Sequence, residues 1–147
     1  MVIHSKKLGS VSIDDSRVIT FPRGLIDLPK HHRFAMIEYP DNFYHWLLSI
    51  DDPDLAMPIT DPRMFHPTYD TRIDEQTASE LLLSRMTAQV PLLMVFCRRY
   101  QDWLVGNLIG PVVINAEKML GAQVIATDKK WAVRQPLMQW PGVKAVC

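Results

Sequence analysis

The stretch from Asn107 to Ile125 constrains this chain more than any other. It reads Asn-Leu-Ile-Gly-Pro-Val-Val-Ile-Asn, then five residues, then Gly-Ala-Gln-Val-Ile. Two short runs rich in Val and Ile flank a polar turn closed by Gly121, which predicts a hairpin of buried strands. Pro111 has no backbone N–H to give to a ladder, so it belongs at a strand start, an edge or a bulge. Asn107 and Asn115 bracket the first run, where side-chain amides can bond to nearby backbone. The element is a shaped piece of sheet and carries no catalytic arrangement.

The rest of the chain agrees with a strand-and-turn protein. At 147 residues, 48% of them hydrophobic, it suits one domain with a real core, and the composition argues against disorder. Eleven prolines and the scarcity of long helix-forming runs favour strands. No run of about 18 uninterrupted apolar residues occurs, so no membrane span is expected. The opening Met-Val-Ile-His-Ser-Lys-Lys lacks the order of a signal peptide, and a cytoplasmic location is expected. Cys97, in the apolar run Leu92–Cys97, reads as a buried small hydrophobe, and Cys147 is the last residue. A disulfide between them is unneeded in a reducing compartment.

Ser10–Ile13 and Val18–Phe21 alternate around Asp14-Asp15-Ser16, and this predicts an opening hairpin. Pro22-Arg23-Gly24 and Asp27-Leu28-Pro29 mark turns. Arg33–Tyr39 is a strand candidate with Phe34 and Met36 on one face and Ile37 and Tyr39 on the other. Trp46, Leu48 and Ile50 share a face of the next run, which Asp51-Asp52-Pro53 ends. Leu55–Ile59 follows as a strand, stopped by Asp61-Pro62. One short helix is expected, capped by Thr77 in the spacing Thr77-Ala78-Ser79-Glu80 or equally by Asp74, and ending near Ser84 to Met86. Leu92–Cys97 reads as a fully buried strand, and a last strand is expected around Trp131 to Val133. The fold class is therefore all-β: a small antiparallel β-barrel-like single domain over residues 1–147 with one short helix. The order of the tail from about Gln139 is not legible in the sequence.

Formal charge is zero, with 16 basic and 16 acidic residues, but the acids crowd the middle of the chain. From Glu38 to Glu80 run Asp41, Asp51, Asp52, Asp54, Asp61, Asp70, Asp74 and Glu75, opposed by Arg63 and Arg72. Such a chain is poorly suited to nucleic acid, whose affinity comes mainly from neutralised phosphates. Two readings stand: the acids cap turns, or they meet a basic protein.

No motif carries catalysis, and the chain reads as a non-enzyme without cofactor. Among the histidines, His31 and His32 are neighbours that a strand points to opposite faces, which does not make a metal site. Asp51-Asp52-Pro53-Asp54 has the acidity of a calcium loop without its glycine and distal Glu. Arg98, Arg99 and the Trp103 region support an alternative reading, a small-molecule or nucleotide-binding β-barrel module. Pro62 to Tyr69 is a stiff loop carrying Phe65 and Tyr69. Held aromatics lose little entropy on binding, so they suit an interaction surface, or they fold back to plug one end of the barrel.

Taken in order, several segments resemble the family of the flagellar assembly factor FliW. They are Phe21-Pro22-Arg23-Gly24-Leu25, Leu47 to Pro53, Asp61-Pro62 with Phe65, Pro67 and Tyr69, Asn107-Leu108 to Ile114-Asn115, and Gly121 with Gln123-Val124-Ile125. The chain departs from the family pattern at Ile26-Asp27-Leu28, at Leu48 and at Val105-Gly106, as a divergent member would. The resemblance implies a catalytically inert β-barrel-like protein with two protein partners. One is flagellin, whose helical terminal region is held in the cytoplasm before export. The other is the carbon-storage regulator CsrA, an RNA-binding protein that such factors sequester. The expected contact residues are Phe65, Tyr69, Asn107, Leu108, Asn115 and Gln123, with Asn107 and Asn115 also fitting a purely structural role at strand ends.

Overall fold

The computed structural model describes residues 1–69, 72–84, 90–98, 103–126, 128 and 130–139, with the backbone course alone for 90–98. Its strands are β1 (Val2–Ser5), β2 (Gly9–Ser12), β3 (Val18–Thr20), β4 (Arg33–Ile37), β5 (His45–Ser49), β6 (Ala56–Thr60), β7 (Val90–Arg98), β8 (Trp103–Gly106), β9 (Val112–Asn115), β10 (Leu120–Gln123) and β11 (Gln135–Gln139). The helix α1 spans Glu75–Glu80.

β1 and β2 form a separate two-stranded ribbon, and the other nine strands form one sheet in the order β11-β8-β7-β6-β5-β4-β3-β10-β9. The first half of β7 also pairs with β9, from Val90↔Ile114 to Leu92↔Val112. That second pairing curls the sheet back on itself into a barrel-like ring. Among the described residues all pairings are antiparallel except one: β3 meets β10 in parallel at Thr20↔Leu120. The sheet is thus mixed where a wholly antiparallel one was expected. The parallel contact is held by the Thr20 N–H donating to the carbonyl of Met119 at 2.9 Å. Met119 adopts φ 52° to present that carbonyl, a left-handed conformation uncommon outside glycine.

The Asn107 hairpin forms as expected, with Leu120↔Asn115 to Gln123↔Val112 in register and Pro111 just ahead of β9. The expected opening hairpin does not form between Ser10–Ile13 and Val18–Phe21. β2 instead pairs with β1, from Val2↔Ser12 to Ser5↔Gly9, while β3 pairs with β4. Asp14 is the reason, because it caps a 3-10 turn at Asp15–Arg17 that sends the chain to a different layer. The helix is capped by Asp74, whose carboxylate accepts the Thr77 N–H at 2.7 Å, and it stops at Glu80, earlier than expected. The final strand begins at Gln135, and Trp131 lies in the bend before it. Cys97 lies in β7 with its side chain outside the described residues, as are Cys147 and the tail beyond Gln139.

Alternation along the strands sorts the apolar residues into layers. Phe34, Leu47, Ile59 and Val112 join Ile19, Phe21 and Leu25 in one buried cluster, with Met36, Met57 and Ile114 packed against it. The intervening residues Ala35 and Leu48 face the opposite way with Ile13 and Ile50, and the β1–β2 ribbon lays Ile3 and Val11 over them. Val113, beside inward Val112, packs under Leu81 at the end of α1 with Val124. Each fully buried Leu, Ile or Phe contributes ~1.5–3 kcal/mol relative to exposure.

The early motif Phe21–Leu25 is a tight turn. The Gly24 N–H donates to the carbonyl of Phe21, and Leu25 and Leu28 exchange both backbone hydrogen bonds. Gly24 sits at φ 65°, and a Cβ there would lie 2.5 Å from the carbonyl oxygen of Leu28. No larger residue fits.

Candidate partner-binding groove

Two side-chain amides clamp the backbone at Gly110. Asn107 Oδ1 accepts the N–H of Ile109 at 3.1 Å and of Gly110 at 2.9 Å. Gln123 Nε2 donates to the Gly110 carbonyl at 2.9 Å, and its Oε1 accepts the Ile26 N–H at 2.9 Å. A Cβ on Gly110 would lie 2.8 Å from Gln123 Nε2 and 3.0 Å from Asn107 Nδ2, so a larger residue would displace the clamping amides. The clamp joins the β9–β10 hairpin to the Gly24 turn, residues about a hundred positions apart. Polar groups that bond backbone in this way fix the shape of the surface they border.

Beside the clamp lies a groove of about 410 Å³. Leu25 and Leu28 come from the Gly24 turn, Met57 and Pro58 from β6, and Val133 from the bend before β11, with Asn107 and Gln123 at one border. Lys7 and Asp27 supply charge at the edge. Val133 is 55% exposed. A concave apolar wall with a few fixed polar groups is the form of a site that takes apolar side chains.

A second cluster adjoins Asn107. The Tyr69 hydroxyl donates to the Leu108 carbonyl at 2.8 Å, and both residues are buried with Leu104. The rings of Tyr69 and His66 each meet Trp131 edge to face at 5.2 Å. Phe65 is half-buried and packs edge to face on Phe43 at 6.1 Å. The Pro62–Tyr69 loop therefore folds inward, as the plugging reading has it for Tyr69, and Phe65 keeps a partly open face. The Leu108 N–H donates to the Ala132 carbonyl at 3.2 Å, which holds the Val133 bend next to the groove.

Of the six residues singled out from the sequence, Asn107 and Gln123 border the groove, and Tyr69, Leu108 and Phe65 belong to the adjoining cluster. Asn115 stands apart. It is buried, donates to the Leu81 carbonyl at 2.8 Å, and accepts the N–H groups of Glu117 and Lys118. Sequence reading passed over Leu28, Met57, Pro58 and Val133. The paired turn signals around Gly24 and Pro29 gave a trace of Leu28, and nothing local marks Val133.

Most of the crowded acids have local work. Asp51 accepts the N–H groups of His32 at 2.9 Å and Arg33 at 3.1 Å and pairs with the Arg33 guanidinium at 3.0 Å. Burial pushes its carboxyl upward, but these donors outweigh it and hold the pKa below the usual carboxylate value. Asp74 is likewise lowered, by the Thr77 N–H and hydroxyl. Asp52 and Asp61 accept turn N–H groups, Asp54 meets Lys6 at 3.6 Å, and Glu80 pairs with Arg23. The turn-capping reading accounts for Asp52, Asp61 and Asp74, while Asp51, Asp54 and Glu80 are held in ion pairs with Arg33, Lys6 and Arg23. Glu38, Asp41 and Glu75 are exposed.

His31 Nδ1 lies 3.3 Å from Ser49 Oγ and His32 Nδ1 lies 3.0 Å from the Phe21 carbonyl, so the two rings serve different neighbours. Among the described residues no cluster of three or more metal-ligating side chains forms, and no helix is long and apolar enough to cross a membrane. Arg99 and the side chain of Arg98 lie outside the described residues, and Trp103 is half-buried at the start of β8.

The class defined by this architecture is a curled, mostly antiparallel β-protein with one short helix among the described residues. The crystal structure of the flagellar assembly factor FliW has the same fold: it superimposes with a TM-score of 0.84 at 25% identity, over 94% of this chain and 97% of that one. The chain belongs to the FliW family of flagellar assembly factors, whose model, described as FliW protein, matches residues 2–137. It is 32% identical to the flagellar assembly factor FliW of Oceanobacillus iheyensis over 146 residues, covering 98% of each chain. It is 30% identical to that of Caldanaerobacter subterraneus, covering 95% of this chain and 94% of the relative.

Proposed function

We propose that this protein is a cytoplasmic, non-enzymatic binding factor that grips the helical terminal region of flagellin and antagonises the translational regulator CsrA, coupling flagellin synthesis to flagellum assembly. Family membership supports the assembly role. The observation that carries the binding role is the convergence of the Gly24–Leu25 turn, Asn107 and Gln123 on one apolar groove, since these come from three separate segments of the family-like pattern.

In this reading an amphipathic helix lays apolar side chains against Leu28, Met57 and Val133. The Asn107 and Gln123 amides, already bonded to backbone, set the groove's form, and Phe65 extends the contact on the adjoining face. Tyr69, Leu108 and Asn115 support the surface from within. Exposed Glu38, Asp41 and Glu75 steer a basic RNA-binding partner, so association with CsrA slows as salt rises.

Capture assays with purified full-length flagellin and with CsrA test the proposal. Folded protein retains both partners, and Val133→Asp loses flagellin at least tenfold with its thermal midpoint unchanged. Folded protein that retains neither partner overturns the reading.

A further inference from the structure

A second opening in the sheet shares no lining residue with the groove at Leu28 and Met57. It arises because β3 is shorter than its neighbour. The β3–β4 ladder ends at Val18↔Ala35, whereas the β4–β5 ladder continues to Ile37↔Trp46. Met36 and Ile37 therefore run past the end of β3. The cause is the turn capped by Asp14, in which the Arg17 N–H donates to the Asp14 carbonyl at 2.9 Å and the chain leaves the side of β4.

Two adjoining pockets of about 400 and 200 Å³ occupy this slot, and both are lined by Arg17, Met36 and Glu38. Ile19, Met36, Ile114 and Met119 form the floor of the larger one, and all four belong to or pack against the main core cluster. An apolar side chain entering here would extend that core. Among the described lining residues the acids are Asp14, Glu38 and Glu117, and Arg17 is the basic one. Glu38 and Glu117 are exposed.

We propose that this slot receives a short extended segment of another polypeptide. The segment lies along the overrunning end of β4, places an apolar side chain between Met36 and Met119, and carries lysine or arginine on either side to face Glu38 and Glu117. An extended segment is favoured because a strand edge beyond its partner offers ladder groups to an incoming chain. Methionine walls adapt to the shape of the inserted side chain. The acidic surplus at the rim selects basic flanks and rejects acidic ones. The proposal is independent of what occupies the groove at Met57.

The test uses the full chain, isotope-labelled for amide NMR, and short synthetic peptides with a common Val-Ile-Val centre. One is flanked by lysines, one by glutamates, and one is lysine-flanked with proline at its centre. The lysine-flanked peptide is expected to shift the amides of residues 17–19, 36–38 and 114–119, less strongly as salt rises, while the other two leave them unmoved. The double variant Glu38→Lys with Glu117→Lys, both at exposed positions, should weaken the lysine-flanked peptide about tenfold and let the glutamate-flanked one bind. Equal binding of both charge types overturns the proposal, as do shifts confined to Leu28, Met57 and Val133, or no shift with any peptide. A dimer in sedimentation that Glu38→Lys dissolves also overturns it, because a second copy would then be the occupant.

Discussion

The ring of Phe21 occupies the space that a side chain on Gly121 would need. A Cβ on Gly121 would lie 2.6 Å from Phe21 Cζ and under 3 Å from two further ring atoms. These residues stand a hundred positions apart, and their contact closes the barrel wall where β3 meets β10. Phe21 is itself fully buried and meets Phe34 edge to face at 5.0 Å, so it has nowhere to retreat.

Gly121→Ala should therefore destabilise the protein by ~1–3 kcal/mol through overpacking. Urea unfolding of the single variant and of Gly121→Ala with Phe21→Leu checks this. The smaller side chain at 21 should make the added methyl cost less in the double variant than in the single one.

Tyr69→Phe removes only the hydroxyl that donates to the Leu108 carbonyl. The expected loss is ~1 kcal/mol, the usual net worth of such a bond. Amide exchange should quicken at Leu108 and Ile109, where the aromatic loop is tied to the amide clamp.

Asn115→Ala leaves the buried Leu81 carbonyl and two part-buried turn N–H groups without their side-chain partner. A cost of ~1–3 kcal/mol is expected. Asn107→Ala should cost less, because both of its bonds are part-buried, whereas the Asn115 bond to the Leu81 carbonyl is fully buried. Comparing the urea midpoints of the two variants decides the order.

Asp51 gives the protein part of its acid sensitivity. Its folded pKa lies below the unfolded value near 4, so its stabilisation is complete above that value. The contribution fades as pH falls through the lowered folded pKa, where the carboxylate is protonated and the His32 and Arg33 bonds weaken. Asp51→Asn should be less stable than the parent at neutral pH, and the gap should close below about pH 4. Urea midpoints across the acid range measure it.

Leu108→Asp buries a carboxylate in a site with no exposure, and it should prevent folding, at a cost above ~4 kcal/mol. Circular dichroism should show loss of strand signal. Val133→Asp, at an exposed position, should keep the parent spectrum.

The sequence by itself determined the local elements. Period-two alternation over Arg33–Ile37, the apolar runs either side of Glu117, and the Asp-Pro stops each act within a few residues, so they are legible in order along the chain. The same holds for Asp51, Asp61 and Asp74, whose carboxylates bond N–H groups two or three positions away or across one hairpin. Strand partners were a different matter. Nothing near Val18 says that it will pair with Ala35 and abandon Ser10–Ile13, because that choice depends on which faces can be buried together once the chain is assembled. The groove likewise exists only in three dimensions: the Gly110 clamp ties Gln123 to the Gly24 turn, the Leu108–Ala132 bond holds the Val133 bend, and the β5–β6 ladder places Met57, so burial summed over distant segments decided their meeting.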